Sequence, residues 1–259
     1  MRSSVESSPW LVRPRPDPRA DLRLFCFPYA GGGASPYVSW AGLLSPRIDV
    51  SAVRLPGRET RARQTAYRHA DELVAALGEA FGERCTGRFA FFGHCMGGLL
   101  AFELARWLRR HGHRGPEHLF VAGRRAPQLP RPGPLIHELP DTDFAAAVAE
   151  RSATSSDVLL TDRFRGVLLP LLRADFAVND THTYRPEPPL TCPITALGGR
   201  DDGDVPPWSL AAWREHTSAD FRTKLFDGAH FFPATARSDV LDTVRARLLG
   251  EREESPRHG

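Results

Sequence analysis

Short apolar runs alternate with helical patterns along most of the chain. Runs of five to eight mainly apolar residues predict buried strands at Leu22–Phe27, Ile48–Leu55, Arg88–Phe92, His118–Ala122, Pro193–Leu197 and Phe221–Phe226. Apolar residues spaced three and four apart predict helices at Ala70–Phe81, Gly98–Arg110 and Ser238–Leu249. Strands that alternate with helices are typical of an α/β fold, in which a mostly parallel sheet carries helices on both faces.

The stretch 128–189 departs from this alternation. It is rich in proline at both ends, and its middle has helical patterns at Asp143–Glu150 and Asp162–Phe176. A connection of this length is too long for a simple loop. We therefore interpret it as a helical lid that is inserted over the strand ends.

Length and composition narrow the class of protein. The chain has 259 residues, is 41% hydrophobic and 25% charged, and carries a formal net charge of +3. These values suit one folded domain over 21–250, with a disordered or loose tail at 1–20 and a short tail at 251–259. The small, dispersed charge argues against nucleic acid as a partner, and no apolar run is long enough to cross a membrane. Because the first residues also lack the apolar segment of a secretory signal, we expect a cytoplasmic protein. A monomer is the default expectation for its oligomeric state.

The four cysteines, Cys26, Cys85, Cys95 and Cys192, match no zinc-site spacing, so we expect no bound metal. In a cytoplasm they would be reduced, and each would be expected to pack as a small apolar side chain. The sequence context of Cys95 does not fit this general expectation.

Cys95 lies in a turn that is typical of enzyme nucleophiles. A predicted buried strand runs into Gly93-His94-Cys95-Met96-Gly97, and a predicted helix follows. This is the pattern of a nucleophile elbow with cysteine in the place of the usual serine. Glycine is needed two residues before and after the nucleophile, because a side chain there would collide with the neighbouring strand or helix. The helix N-terminus would favour a thiolate at the sulfur. A packing role for Cys95 in the turn is the alternative.

Candidate partners of this nucleophile follow in the order that an elbow enzyme requires, which is nucleophile, acid and base. Asp202 follows one predicted strand, and His230 follows the next strand and a glycine turn. His230 would take the proton of Cys95 or pair with its thiolate, and Asp202 would orient the imidazole. Asp201 is the alternative acid, and ordinary turn roles are the alternative for all three. The remaining histidines, including His94, are interpreted as surface or structural residues.

A glycine loop follows the first predicted strand, at residues 29–33. It is not a phosphate-binding loop, because no Lys-Ser/Thr pair follows it and it lacks the G-x-G-x-x-G pattern. In an elbow enzyme, this loop and the residue after the nucleophile each supply one backbone N–H that stabilises the oxyanion. We therefore expect the main chain of Ala30 and Met96 to form an oxyanion hole.

Six motifs together resemble the type II thioesterases of polyketide and nonribosomal-peptide assembly lines. They lie within about residues 22–248 in the family's order: Phe27-Pro28-Tyr29-Ala30-Gly31-Gly32, Leu55-Pro56-Gly57-Arg58-Glu59, Gly93-His94-Cys95-Met96-Gly97-Gly98, Gly123-Arg124-Arg125-Ala126-Pro127, Leu172-Arg173-Ala174-Asp175-Phe176 and Gly228-Ala229-His230-Phe231-Phe232. The resemblance implies an α/β-hydrolase fold with a mobile lid over an acyl channel. It also implies an enzyme that releases misprimed or stalled acyl units from carrier-protein phosphopantetheine.

By position, the resemblance assigns Cys95, Asp202 and His230 to the family's triad, and Ala30 and Met96 to its oxyanion donors. It implies acyl or peptidyl carrier proteins as partners. It implies no cofactor of the enzyme itself, because the substrate arrives on the phosphopantetheine arm. A general lipase or esterase is a rival class on the same fold, and the full set of motifs argues against it.

Cys95 departs from the family pattern, which has serine at this position. Acyl transfer from a thioester to cysteine produces another thioester, so this step is nearly balanced in energy and reversible. A cysteine nucleophile therefore also suits an acyl or aminoacyl transferase that moves acyl groups between carrier proteins. Cys95 is either natural or an engineered replacement for serine. We favour a natural cysteine, since nothing else in the chain looks engineered, and hydrolysis, since it is the family's usual reaction.

Five apolar side chains of the predicted lid are candidates to line the acyl channel: Phe144, Val148, Leu168, Leu172 and Phe176. Packing within the lid itself is the alternative role for them. Four arginines near the end of the helix after the elbow are candidates to meet an acidic carrier protein: Arg106, Arg109, Arg110 and Arg114. Favourable dipole contacts at a solvated helix end are the alternative, and we favour that interpretation.

Overall fold

The computed structural model describes residues 8–151 and 159–251. Within them, seven strands form one sheet in the order β1-β3-β2-β4-β5-β6-β7. The strands are β1 Leu11–Val12, β2 Leu22–Phe27, β3 Ile48–Val53, β4 Phe89–His94, β5 Leu119–Ala122, β6 Ile194–Gly199 and β7 Phe221–Phe226. Every neighbouring pair is parallel except β1 and β3. The predicted α/β fold with a mostly parallel sheet is confirmed.

The helices of the described residues are α1 Val38–Leu44, α2 Ala70–Phe81, α3 Met96–Arg110, α4 Asp141–Arg151, α5 Asp162–Arg165, α6 Leu168–Asp180, α7 Pro207–Ala211, α8 Phe232–Thr235 and α9 Arg237–Leu249. The sequence pattern predicts the bounds of α2 correctly. Helix α3 begins two residues before the predicted Gly98, directly after the elbow residue Cys95. Over the part of the chain that the structure describes, no helix is both long and apolar enough to span a membrane.

The sheet separates two hydrophobic clusters. Phe25 and Phe91 pack on the side of α2 and α3, whereas Cys26 and Phe92 pack on the side of α1 and α9. Successive strand residues point to opposite faces, and both faces are covered. This burial explains why the central strands appear in the sequence as continuous apolar runs rather than alternating ones. β7, at the edge of the sheet, is largely half-buried or exposed.

The structure corrects the expectation of a loose tail over part of 1–20. Strand β1 pairs antiparallel with β3. The Arg61 guanidinium lies 4.0 Å from the centroid of a Trp10 ring, and Arg13 pairs with the buried Asp49 at 2.6 Å. These contacts are made with residues far along the chain, so the polar local composition of the segment gave no sign of them. Residues 1–7 of the predicted tail and 252–259 of the C-terminal one lie outside the described residues.

Where the structure describes it, the stretch predicted as a lid forms helices and has its own small hydrophobic cluster. It contains α4, α5 and α6, and apolar side chains of the two longer helices, α4 and α6, pack together. The single helix predicted over Asp162–Phe176 is wrong, because the chain breaks between α5 and α6. Pro170 is the third residue of α6 and cannot continue a helix from upstream, since it lacks an N–H and its ring collides with the carbonyl four residues earlier.

Candidate active site

Cys95 lies at a sharp turn between β4 and α3, at the carboxyl edge of the sheet. Its backbone has φ 54° and ψ −115°, a conformation that is strained for a residue with a side chain. The Cys95 N–H donates to the carbonyl of Ala122 at 2.8 Å, which ties the turn to the end of β5. The surrounding strands therefore impose the strained conformation that the elbow pattern predicts.

The two glycines of the elbow are required by space. A Cβ atom on Gly93 would lie 2.1 Å from the carbonyl oxygen of Gly97, and one on Gly97 would lie 2.1 Å from that of Phe27. Both obstacles are backbone atoms, which cannot move aside as a flexible side chain can. The steric reason given for the glycine spacing is therefore correct in this chain.

His230 lies in the turn after β7, within reach of Asp202 after β6. Its Nδ1–H donates to Oδ2 of Asp202 at 2.7 Å, and the other carboxylate oxygen accepts the Asp204 N–H at 3.1 Å. Asp202 is buried, whereas Asp201 is exposed and pairs with Gly228 through its backbone only. The structure therefore brings Asp202, not the alternative Asp201, to the imidazole.

The Cys95 thiol and the His230 imidazole perturb each other. Burial opposes ionisation of Cys95, but the charge and hydrogen bond of His230, with Arg124 and the Met96 N–H, outweigh it and hold the thiol pKa below its ordinary value. Burial also opposes a charged His230, yet Cys95 and Asp202 together raise the imidazole pKa well above its usual range. Burial and the His230 contact act in opposite senses on Asp202, and its pKa is lowered overall. The site therefore favours a thiolate beside an imidazolium.

The other three cysteines are buried, as expected for packing residues. Burial raises the pKa of Cys85 to about 12 and that of Cys192 to about 11, and it raises that of Cys26 as well. Cys95 is partly exposed and is the one of the four whose pKa is lowered. Within the described residues, one cysteine thus has the environment of a nucleophile.

His94 is buried beside the site, so of the two roles expected for it the structural one holds and the surface one is wrong, and the sequence did not show that its structural role lies at the site. Its Nε2–H donates to the backbone carbonyl of His230 at 2.8 Å, and the two ring centroids lie 5.1 Å apart. Burial, reinforced by the charge of His230, lowers the pKa of His94 to about 3, so its ring is neutral. It holds the His230 backbone in place. Its position directly before Cys95, at the end of a buried strand, was the available signal.

The glycine loop brings the backbone N–H of Ala30 to the wall of the cavity beside Cys95. The Gly31 N–H donates to Asp175 at 2.6 Å, and the Gly32 N–H donates to the Tyr29 carbonyl at 2.9 Å. Among the described residues, none accepts a hydrogen bond from the N–H of Ala30, which lines the cavity beside Cys95. The Met96 N–H lies at the first turn of α3, where a helix has no internal acceptor for it. It points to the Cys95 sulfur, whose pKa it helps to lower, so both predicted oxyanion donors border the nucleophile.

A cavity of about 890 Å³ opens onto Cys95 and His230 and is bounded by the strand ends and by the lid. Four of the five channel candidates line it: Val148, Leu168, Leu172 and Phe176. Phe144 does not. It is fully buried inside the lid, with its ring edge against Phe176 and the guanidinium of Arg173 4.4 Å from its centroid. The channel role predicted for Phe144 is therefore corrected to packing, because its helix turns this side chain away from the cavity.

The arginines of α3 are used within the molecule. Arg106 is buried and pairs with Glu103 at 2.7 Å and with Glu187 at 2.8 Å. Arg109 and Arg110 also bind Glu187, which lies near the end of the lid stretch 128–189. Arg114, the fourth candidate, pairs with Glu117 at 2.8 Å. These contacts tie the end of the lid stretch to α3, so the interpretation as a carrier-binding surface is not supported.

A buried ion pair is the second feature that sequence reasoning missed. Arg58 and Asp175 form two hydrogen bonds at 2.7 and 2.9 Å beneath the glycine loop. Both residues stand in motifs quoted above for the family resemblance, and their presence there was the available signal.

In the described ranges 8–151 and 159–251, no cluster of three or more His, Cys, Asp or Glu side chains has the arrangement of a metal site.

The parallel sheet, the strained nucleophile turn at its carboxyl edge and the helical lid define the class of protein, which is an α/β-hydrolase. Residues 22–248 match the thioesterase domain family. The chain belongs to this family and is a thioester hydrolase.

Individual relatives agree with this assignment. The chain is 40% identical to the gramicidin S biosynthesis protein GrsT of Aneurinibacillus migulanus, over 92% of this chain and 93% of GrsT. It is 38% identical to the thioesterase PikA5 of Streptomyces venezuelae, over 95% of this chain and 88% of PikA5. Among solved structures, the type II thioesterase BorB from the borrelidin biosynthetic cluster has a TM-score of 0.84 at 38% identity, covering 92% of this chain and 97% of BorB. The predicted resemblance to type II thioesterases is confirmed.

Proposed function

We propose that this enzyme hydrolyses acyl thioesters carried on the phosphopantetheine arm of acyl or peptidyl carrier proteins, and so releases misprimed or stalled acyl units from a biosynthetic assembly line. The observation that carries the proposal is the alignment of Cys95, His230 and Asp202 at the mouth of a cavity of about 890 Å³. The names of the relatives, which include a gramicidin S biosynthesis protein and a type II thioesterase of the borrelidin cluster, supply the biosynthetic context.

In the acylation step, the Cys95 thiolate attacks the thioester carbonyl carbon. The negative charge moves to the carbonyl oxygen, where the backbone N–H groups of Ala30 and Met96 stabilise it. Removing one such donor typically costs about 2.7–4 kcal/mol of transition-state stabilisation. The bond to the pantetheine sulfur breaks as the carbonyl re-forms, and the leaving thiolate takes the proton of the His230 imidazolium. The products are an acyl thioester on Cys95, a neutral His230 and a free carrier thiol.

In the deacylation step, neutral His230 takes a proton from a water molecule, whose oxygen attacks the acyl carbon. Collapse of the second oxyanion breaks the bond to sulfur and releases the carboxylic acid. Cys95 leaves as a thiolate beside the imidazolium, which restores the starting state. The Asp202 carboxylate, 2.7 Å from Nδ1, stabilises the charged ring and fixes its orientation in both steps.

Transfer to a second carrier is the alternative outcome, and the cysteine at the elbow favours it. The acyl-enzyme is a thioester, close in energy to the substrate, so a second pantetheine thiol can attack it as readily as the first one left. The same Cys95, His230 and Ala30 groups would serve this reaction. The two outcomes differ only in whether water or a thiol accepts the acyl group.

The decisive experiment loads one carrier protein with a labelled acyl-phosphopantetheine and adds the enzyme together with a second, unloaded carrier. For a thioesterase we expect free acid as the main product. Label on the second carrier with little free acid would establish transfer and overturn hydrolysis as the function. Cys95→Ser is the matched variant. Its acyl-enzyme is an oxyester, which differs in energy from the thioester of a carrier, so acyl exchange with a second thiol is no longer nearly balanced in energy.

The proposed reaction also implies what the enzyme needs and what it binds. The enzyme needs no cofactor of its own, because the phosphopantetheine belongs to the carrier. Its partners are carrier proteins rather than nucleic acid or membranes, and it acts as a cytoplasmic monomer. Size-exclusion chromatography with light scattering, with and without an acylated carrier, would test the monomer and the binary complex together.

A further inference from the structure

The lid helix α6 places a buried carboxylate against the glycine loop. Asp175 accepts one hydrogen bond from Arg58 at Oδ1, at 2.7 Å. Its Oδ2 accepts a second from Arg58 at 2.9 Å and one from the Gly31 N–H at 2.6 Å. The side chains of Asp175 and Arg58 are 2% and 5% exposed. Both carboxylate oxygens are thus occupied, and one of them holds the backbone of the loop.

Arg58 also contacts the glycine loop directly. The nitrogen that donates to Asp175 Oδ2 also donates to the Gly32 carbonyl at 2.7 Å. The pair therefore holds two of the backbone polar groups of the Gly31–Gly32 stretch, the N–H of Gly31 and the C=O of Gly32. Ala30 precedes this stretch directly, so the direction of its N–H depends on a loop that the ion pair holds.

Packing reinforces this polar contact. Leu172 lies one turn before Asp175 on α6, and its Cδ2 is 2.5 Å from the position that a Cβ on Gly31 would occupy. Gly31 also has a φ of +77°, which a side chain would disfavour. The lid helix therefore rests directly on the loop, and Leu172 lines the cavity as well.

Stability alone is a weak reason for this pair. Removing two charges from water costs much of what their attraction returns, so a buried ion pair contributes little net stability compared with apolar residues of similar size. Such a pair does impose one geometry, because a guanidinium and a carboxylate meet in a fixed two-bond arrangement. Here that geometry fixes the loop beside the nucleophile.

We propose that Arg58 and Asp175 are positioning residues for the oxyanion hole, and that through them the lid helix α6 couples the position of the lid to the ability of the Ala30 N–H to stabilise the oxyanion. This inference rests on the proposed roles of Cys95 and Ala30. The lid is then part of the catalytic machinery as well as a wall of the cavity. When α6 moves away from the sheet, the loop loses the contacts that orient its donor.

The test separates two reactions of the same sulfur. Alkylation of Cys95 by iodoacetamide needs the thiolate but develops no oxyanion, whereas acylation by a soluble acyl N-acetylcysteamine thioester needs both. Asp175→Asn keeps the shape of the side chain, but one carboxylate oxygen becomes an NH₂ group that faces an N–H donor of Arg58 or Gly31 and cannot accept its hydrogen bond. Arg58→Lys keeps the positive charge but cannot make the two parallel hydrogen bonds to Asp175. For each variant we expect acylation, followed by intact mass, to slow about 10²-fold while alkylation keeps its wild-type rate. In turnover, kcat should fall while KM changes little.

Asp141→Asn is the matched control on the same lid. Asp141 pairs with Arg173 of α6 at 2.7 Å, and within the described residues no hydrogen bond or ion pair joins it to the glycine loop. We expect acylation by this variant to remain at the wild-type rate. Equal slowing in Asp141→Asn and Asp175→Asn would overturn the inference, because general loosening of the lid would then explain the loss. A wild-type rate of acylation in both Asp175→Asn and Arg58→Lys would overturn it too.

Thermal unfolding of each variant keeps the result interpretable. If Asp175→Asn does not fold, Arg58→Lys, which preserves the charge, carries the test. Loss of alkylation together with acylation in a folded variant would contradict a positioning role, since the nucleophile itself would be damaged. The soluble thioester also separates this inference from the proposed function. A wild-type enzyme that is acylated by the soluble thioester but never by a carrier refutes the carrier substrate and leaves the positioning inference standing.

Discussion

The carboxyl edge of the sheet and the lid enclose the same cavity, but different forces shape them. At the sheet edge, backbone atoms dictate the geometry. The turn at Cys95 is held by a hydrogen bond to Ala122, and a Cβ on Gly97 would lie 2.1 Å from a backbone oxygen. In the lid, side chains dictate the geometry, through a small cluster around Phe144 and the buried pair of Asp175 with Arg58. We therefore expect the chemistry that needs fixed atoms to depend mainly on the rigid edge, and adaptability to an acyl chain to depend on the lid.

Replacement of the nucleophile should give the largest effect at the rigid edge. In Cys95→Ala, the fold should persist because alanine keeps the Cβ of cysteine and needs no further space, and turnover of acyl-carrier thioesters should fall by roughly 10⁴-fold or more. Product formation followed by mass spectrometry, together with the melting temperature, measures both effects. Full activity in this variant would show that the elbow does not supply the nucleophile.

The acid comes next in expected size. In Asp202→Asn, an amide replaces the carboxylate 2.7 Å from His230 Nδ1, so the imidazolium loses its stabilising charge and its fixed tautomer. We expect kcat to fall by roughly 10²–10⁴-fold. Asp201→Asn is the matched control, because this neighbour is exposed, and its kinetics should equal those of the wild type. Equal losses in the two variants would remove the distinction between these aspartates.

The contrast between edge and lid also explains what the sequence could predict. The elbow glycines lie in a local pattern whose reason is steric, and Cys95 and His230 are nominated by their order along the chain, so the sequence alone suggests them. The choice of Asp202 over Asp201 depends on one residue of register after β6, and a local pattern does not determine it. The break before α6 could have been read from Pro170, whose ring forbids a helix continuing from upstream.

Other features depend on contacts between distant parts of the chain, which a local sequence pattern does not predict. Asp175 meets Arg58 and Gly31, which lie 117 and 144 positions away. Helical periodicity places Phe144 on an apolar face, but it does not say whether that face meets the cavity or the rest of the lid. The pairing of β1 with β3 depends in the same way on a partner outside the polar N-terminal segment.

The elbow glycines allow a stability test of the rigid edge. Gly97→Ala places a methyl group against the carbonyl of Phe27, and we expect it to lower the free energy of unfolding by about 3 kcal/mol or more. Gly42→Ala is the control, since its new Cβ would have no neighbour within 4 Å apart from the adjoining backbone of its own helix, α1. This control should be neutral or stabilise by about 0.5–1 kcal/mol, as measured by urea denaturation. A mild effect at Gly97 would mean that the edge yields more easily than its geometry indicates.

The pH dependence of alkylation tests the electrostatics of the same edge. Because the pKa of Cys95 is lowered, its thiolate persists below the ordinary pKa of a thiol, and alkylation should slow only as the pH falls through that lowered value. Burial raises the pKa of the other three thiols, so they should stay unmodified in the folded protein. Peptide mapping after iodoacetamide treatment at a series of pH values measures each cysteine. A profile for Cys95 that rises only near the ordinary thiol pKa would contradict the thiolate–imidazolium pair.

The smallest effect is expected where the lid lines the cavity. Leu168 is partly exposed and faces the cavity, whereas the adjacent Val167 is 70% exposed and does not. Leu168→Ala removes apolar contact area from a bound acyl chain, so KM for a long-chain acyl thioester should rise about 10-fold while kcat holds. Val167→Ala should match the wild type for every chain length. A fall in kcat with Leu168→Ala would instead show that this part of the lid, like Asp175, acts on the catalytic step, and the division between a rigid edge and an adaptable lid would have to be redrawn.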